Sequence, residues 1–161
     1  MPTSARDQRI ALATHDDTSI EQVDEAVSRA RRSATPTTEA AARHAKAHGM
    51  ATVAGAPNVV RGGSHSGNVS ATELARQGLL DVLSSDYVPA SLINAAWLLH
   101  RQAGFSLPAA IASVSLRPAR ATGLTDRGEI AAGQRADLAR IHPVANQPAV
   151  REVWVAGKRV H

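Results

Sequence analysis

No cysteine occurs in the 161 residues. That excludes disulfides, thiolate zinc sites and a cysteine nucleophile. Aromatic residues make up only 2% of the chain against 43% hydrophobic residues overall, so the core must be built from Ala, Val, Leu and Ile. Alanine favours helix, but each one buries little area. Lysine is almost missing too: Lys46 and Lys158 are the only two. The formal net charge of +4 is therefore an arginine charge. No apolar run approaches the length that crosses a membrane, and Met1 to Arg9 lacks the apolar stretch of a secretion signal. The expectation is a cytoplasmic protein that uses no membrane.

The arginines are scattered. Arg29, Arg31 and Arg32 form the one cluster, and no aromatic residue stands beside it. A nucleic-acid surface concentrates basic residues and adds aromatic stacking, so no nucleic-acid partner is expected. A phosphorylated small molecule suits dispersed guanidinium groups.

Short apolar runs alternate with helical patterns. Residues 9–13 (RIALA) read as a strand that ends at His15, Asp16 and Asp17. Thr18 and Glu21 have capping-box spacing, and Ile20, Val23, Val27 and Ala30 then recur at helical intervals. A second helix is predicted from Pro36 or Thr37 to His48, stopped by Gly49. Residues 50–54 (MATVA) form the next strand, followed by a Gly-rich loop over residues 55–68. Ser70 and Glu73 suggest another capping box, opening a helix to about Gln77 that Gly78 closes. Residues 81–84 (DVLS) read as a third strand ending at Asp86. A long helix follows from Pro89 to about Ala103, and Pro108 sits in the first turn of one more. This βα alternation implies a parallel sheet covered by helices. After about Leu116 the pattern changes to short β-type runs at residues 136–141, 150–156 and 159–161, with a turn at Ala156-Gly157-Lys158.

In βα folds the residues just past each strand gather at one face, where chemistry occurs. His15 with Asp16 and Asp17 suits a divalent metal or acid–base work, or equally a helix start, where acids favour the dipole. Asp86 can be a ligand, a general base or a turn residue. His65 lies in the Gly-rich loop, whose backbone amides form an anion nest with Arg61 as a forked donor, or merely cross the surface. His44, His48, His100, His142 and His161 show no partner in the sequence. Trp97 and Trp154 read as core or interface fillers.

"GMATVAGAPNVVRGGSHSGNVSATELARQGLLDVLSSDYVPASL", with "LATHDD" and "PTTEAA" upstream, resembles the hydrolase of the carbon–phosphorus lyase pathway, the PhnM family of the amidohydrolase superfamily. "LRPARATGLTDRGEIAAGQRADLARI" and "VREVWVAGKRV" resemble that superfamily's return into a small β-sandwich. The resemblance implies an α/β fold: the C-terminal part of a (β/α)8 TIM-type barrel over residues 9–116, then β-sandwich strands over residues 117–161. It implies a divalent metal, zinc or manganese, held by His15 of the fifth strand and Asp86 of the eighth, with Asp86 also taking the proton of the attacking water. Arg61, Gly62, Gly63, Ser64, His65 and Asn68 would face the phosphorylated substrate, a ribose phosphonate triphosphate cleaved to the 5-phosphate and diphosphate. The family's His-x-His pair and bridging lysine have no counterpart here, and residues 29–35 (RARRSAT) lack its apolar sixth strand and glutamate. The chain is thus expected to be the C-terminal part of such an enzyme, partnered by a complementary N-terminal half or by itself. The alternative is a non-catalytic remnant or assembly module.

Overall fold

Ladder hydrogen bonds, rather than long apolar runs, build the parallel sheet of this protein. The computed structural model describes residues 11–63 and 67–161. The first two residues of the strand expected at 9–13 lie outside them. Its last, Ala13, bridges Ser33 in parallel. Ser33 belongs to β1 (Ser33–Ala34), which pairs in parallel with β2 (Ala51–Gly55), and β2 pairs in parallel with β3 (Val82–Ser84). Each strand neighbours the next in the chain, and helices fill the connections. That is the order of a (β/α) barrel wall.

In the segment "RARRSAT", where the sequence left a strand in doubt, a short strand is present as β1. Both its residues are buried. The N–H of Arg32 donates to Leu12 O at 2.9 Å, and Ala51 N donates to Arg32 O at 3.0 Å. Small side chains suffice here because the backbone pairs on both sides and the helices press close.

Helix α1 (Ile20–Ser28) starts one residue later than the sequence suggested. Ser19 and Gln22 form the capping box, not Thr18 and Glu21. The Gln22 side chain accepts from the backbone N–H of both Thr18 and Ser19. Helix α2 (Glu39–Ala47) is capped by the Thr38 hydroxyl, which accepts from Ala41 N at 3.2 Å, and the chain leaves it through Gly49 at φ 71°. Val23 and Ala26 of α1 pack with Ala41 and Ala45 of α2 against Ala34 and Met50. Alanine at these contacts lets both helices approach the sheet closely.

The Gly-rich stretch is not all loop. Residues Ala56–Arg61 form α3, with Pro57 in its first turn and Gly62 in the left-handed conformation at its end. Pro early and Gly late is the asymmetry of helix ends, and Ala56, Pro57 and Val59 are buried. Helix α4 (Ala71–Arg76) lacks the expected Ser70 side-chain cap. Instead, Asn58 of α3 accepts from Ala71 N at 3.0 Å. Helix α5 (Ser91–Gln102) follows β3, then α6 (Leu107–Ala112) with Pro108 in its first turn, then α7 (Leu116–Ala121). Leu74, Leu79, Leu80, Leu83 and Leu99 anchor the larger core cluster.

A buried carboxyl group at Asp17 and a half-buried one at Asp81 tie the sheet together. Asp17 is only 4% exposed. It accepts from the Thr14 hydroxyl at 2.6 Å and from Thr35 N at 3.2 Å. Its own N–H donates to Thr35 O, and its carbonyl accepts from Thr37 N. Asp81, just before β3, accepts from Lys46 Nζ at 2.7 Å and from Thr52 N at 3.0 Å. Burial pushes the Asp81 carboxyl up, but the bonds from Lys46 and Thr52 outweigh it and hold it below its ordinary 3.8.

The tail is an antiparallel sheet of β4 (Leu138–Val144), β5 (Gln147–Val155) and β6 (Lys158–Arg159). The turn expected at Ala156-Gly157 is there. A second turn, Ala145-Asn146, has positive φ at both residues. It joins β4 to β5 in the two-residue geometry that matches strand twist. Pro143 and Pro148, which face each other across the ladder, masked these longer strands in the sequence. Trp97 of α5 donates from Nε1 to Asn146 O at 2.9 Å, pinning this turn to the barrel helices. From residue 120 to the end no residue is buried. Leu138 and Val153 are half-buried and Val155 is exposed.

Three outcomes are expected. Asp17→Ala should lower unfolding free energy by about 1–2 kcal/mol, because it leaves half-buried donors at Thr14 and Thr35 without their partner; urea denaturation measures this. The folded-state pKa of Asp81 is depressed, so its contribution is complete above the ordinary value of 3.8 and is lost as pH falls below it. Lys46→Gln should flatten that acid-side loss in urea midpoints measured against pH. Finally, amides of residues 138–159 should exchange with solvent faster than those of β2, read by mass spectrometry.

Candidate active site

The site starts from two acids held in an unusual backbone state. Asp16 (φ 58°) and Asp86 (φ 50°) both adopt the left-handed conformation just past strand ends, which aspartate tolerates better than most residues. At Asp16 this turn swings the chain so that His15 projects into solvent. His15 Nδ1 lies 3.0 Å from Asp16 Oδ2, an arrangement that orients the ring. The Asp17 hydrogen bonds hold the whole turn against residues 35–37.

At Asp86 the turn lays the carboxylate over the end of β2. A Cβ added to Gly55 would sit 2.7 Å from Asp86 Oδ2. Gly55 has φ −71°, so it is needed for space, not for backbone freedom. Val69 N donates to Thr37 O at 2.9 Å, which brings the neighbouring Asn68 to the same face. The result is a cavity of about 150 Å³ whose lining includes His15, Thr37, Gly55, Asn58, Asn68 and Asp86. Among the sequence-derived candidates, His15, Asn68 and Asp86 thus meet.

The others sit differently. Asp17, grouped with His15 in the sequence, is buried and braces the turn. Arg61 lies at the C-terminal end of α3. Its guanidinium hydrogen-bonds the Tyr87 hydroxyl and stands 5.5 Å from the Tyr87 ring centroid, next to Asp86 in the chain but outside the cavity lining. Gly62 N donates to Val59 O at 3.1 Å and Gly63 N to Asn58 O at 3.1 Å. These two amides are spent on the helix C-terminus, so the expected anion nest is corrected at Gly62 and Gly63: a helix C-terminus carries partial negative charge and disfavours an anion. Ser64 and His65 lie outside the described residues.

Sequence reasoning missed Gly55, Asn58 and Thr37. The Pro57–Gly62 spacing was a signal for α3 and hence for Asn58. For Gly55 and Thr37 only the folded contacts reveal the role. Larger cavities exist elsewhere. One of about 580 Å³ at the opposite, N-terminal ends of the strands is lined by Arg31, Arg32, Lys46, Arg117 and Arg120 among others, and another of about 560 Å³ lies under the tail sheet around Ile93, Val114, Leu138 and Trp154. The smaller one is where a βα fold gathers its chemistry.

The chain is 49% identical over 158 residues to the alpha-D-ribose 1-methylphosphonate 5-triphosphate diphosphatase of Escherichia coli (strain K12), covering 96% of this chain and 42% of that protein. It is 38% identical over 80 residues to the dihydroorotase of Methanopyrus kandleri, covering 39% of this chain and 19% of that one. Among solved structures it resembles the N-isopropylammelide isopropylaminohydrolase from Burkholderia multivorans, with a TM-score of 0.61 at 18% identity over 97% of this chain and 48% of that one. An amidohydrolase from Thermotoga maritima gives a TM-score of 0.58 at 17% identity, over 95% of this chain and 44% of that one. The chain therefore spans less than half the length of these relatives, and the two structural likenesses show the fold alone, the C-terminal part of a barrel of this kind. The family model described as amidohydrolase family matches residues 4–161, and the chain belongs to that family.

Proposed function

We propose that the chain carries the C-terminal part of a metal-dependent hydrolase that cleaves α-D-ribose 1-methylphosphonate 5-triphosphate to the 5-phosphate and diphosphate. The observation that carries this reading is the meeting of His15, Asn68 and Asp86 on one cavity at the strand ends, with Gly55 cleared to admit the Asp86 carboxylate. The high identity to the diphosphatase across nearly the whole chain supports the substrate.

One imidazole and one carboxylate on a shared cavity fit part of a divalent-metal shell, and zinc or manganese accepts both donors. When bound, such a cation supplies Lewis acidity toward a phosphoryl oxygen and a nucleophilic water at neutral pH. Asp86 takes the proton as water oxygen bonds to phosphorus and the anhydride P–O bond breaks, releasing diphosphate. Arg61, anchored beside Asp86 by Tyr87, supplies a forked donor toward the phosphates, with His65 and Ser64 of the same segment. Asn68 adds a neutral hydrogen bond at the cavity wall.

Two protein ligands fall short of the three that a catalytic metal usually has. The reading therefore includes a complementary N-terminal half that contributes the remainder, or self-association. A non-catalytic assembly module is the alternative, favoured by the same shortage of ligands.

The test is diphosphate release from the triphosphate, with manganese or zinc, by the chain alone and with a complementary N-terminal half. Activity in the pair, reduced by about 10²-fold or more in Asp86→Asn, supports the hydrolase; none in either case supports the assembly module. Gly55→Ala should also lower kcat, since its Cβ displaces the Asp86 carboxylate, while urea stability changes little.

A further inference from the structure

Away from the strand ends, three ligand-type side chains converge across two helices. Asp24 lies on α1. His44 lies on α2 and His48 caps its end, four residues apart and so on one helix face. One donor atom from each falls within 4.8 Å of the others. His44 Nε2 stands 2.6 Å from Asp24 Oδ1, and His48 Nε2 stands 3.9 Å from the same oxygen. The two rings meet edge to face with centroids 4.6 Å apart.

We propose that Asp24, His44 and His48 form a binding site for a divalent transition cation of the zinc class, clamping α1 to α2. Two imidazoles and one carboxylate are the donor set such a cation takes, with solvent at the fourth position. Imidazole donors select against magnesium and calcium, which prefer oxygen. Donors about 2.0–2.1 Å from a tetrahedral ion stand about 3.3 Å apart. The present separations of 2.6 and 3.9 Å straddle that value. The His44–Asp24 contact must open slightly and the His48 contact close, with the cation taking the place of the direct His44–Asp24 hydrogen bond. His44 is the least exposed of the three, at 26%, while His48 and Asp24 are 41% and 57% exposed, so the ion has an entry path and the side chains have room to adjust. A simple ion pair between His44 and Asp24 would not need His48, and this separates the two readings.

The experiment uses the chain carrying His15→Ala, so that metal at the strand-end cavity does not contribute. Zinc chloride is titrated calorimetrically, with magnesium chloride as the control, and thermal unfolding is followed with and without zinc. The expected result is one zinc ion per chain, no magnesium binding, and a higher Tm with zinc. Adding His48→Ala or His48→Gln should weaken zinc by about tenfold or more, the least that losing a ligand should cost, and abolish the Tm gain. Both changes are at the surface and leave the fold intact, as the metal-free Tm verifies. Zinc affinity unchanged in the His48 or His44→Ala variants, or no zinc binding in the His15→Ala background, overturns the proposal.

Discussion

The buried carboxyl group of Asp17 is the interaction on which the site depends. The segment that bridges β1 at Ala13 ends in a turn that carries His15 outward, yet the chain there has few apolar residues to hold it. Asp17 substitutes polar contacts for them. It accepts from Thr14 and Thr35 and, through its backbone, pairs with residues 35 and 37. A single residue thus fixes the segment after Ala13 to the end of β1. Thr37 in turn receives Val69 N, so the same brace extends to the segment that carries Asn68.

Close approach governs the rest of the site. Aromatic residues are few in this chain, and its helices touch the sheet through alanine at Ala26, Ala41, Ala42 and Ala45. Gly55 takes the same logic to its limit, since even a methyl group there would collide with Asp86. The left-handed backbone at Asp16 and Asp86 goes with His15 and Asp86 lining one cavity. Small residues below and strained turns above place an imidazole and a carboxylate on one cavity.

The other ends of the same strands are organised by charge. Lys46 and Thr52 converge on Asp81, joining α2, β2 and the start of β3. The tail sheet stands apart from this economy. Its faces stay open to solvent, and Trp97 ties its turn to α5 by one hydrogen bond. Apolar residues such as Ile130, Val150 and Val160 remain exposed.

The sequence by itself determined the order of elements, α3 and α7 excepted, and the residues at strand ends. The βα alternation, the stop at Gly49, the turn at Ala156-Gly157 and the prominence of His15 and Asp86 all follow from patterns that span a few neighbouring residues. Family motifs over residues 49–92 carried the barrel and its lineage. Tertiary structure decided what periodicity cannot encode. Strand β1 exists because Arg32 and Ser33 find partners about twenty residues away on both sides, though its own side chains predict nothing. Asp17 became a brace rather than a ligand because Thr35 and Thr37 surround it. Gly62 and Gly63 became a helix end rather than an anion nest because Val59 and Asn58 carbonyls claim their amides. Asp24, His44 and His48 were three unrelated residues until α1 and α2 packed side by side. In each case the deciding partner is distant in the chain or hidden by a local pattern with two readings, and only burial and hydrogen-bond geometry choose between them.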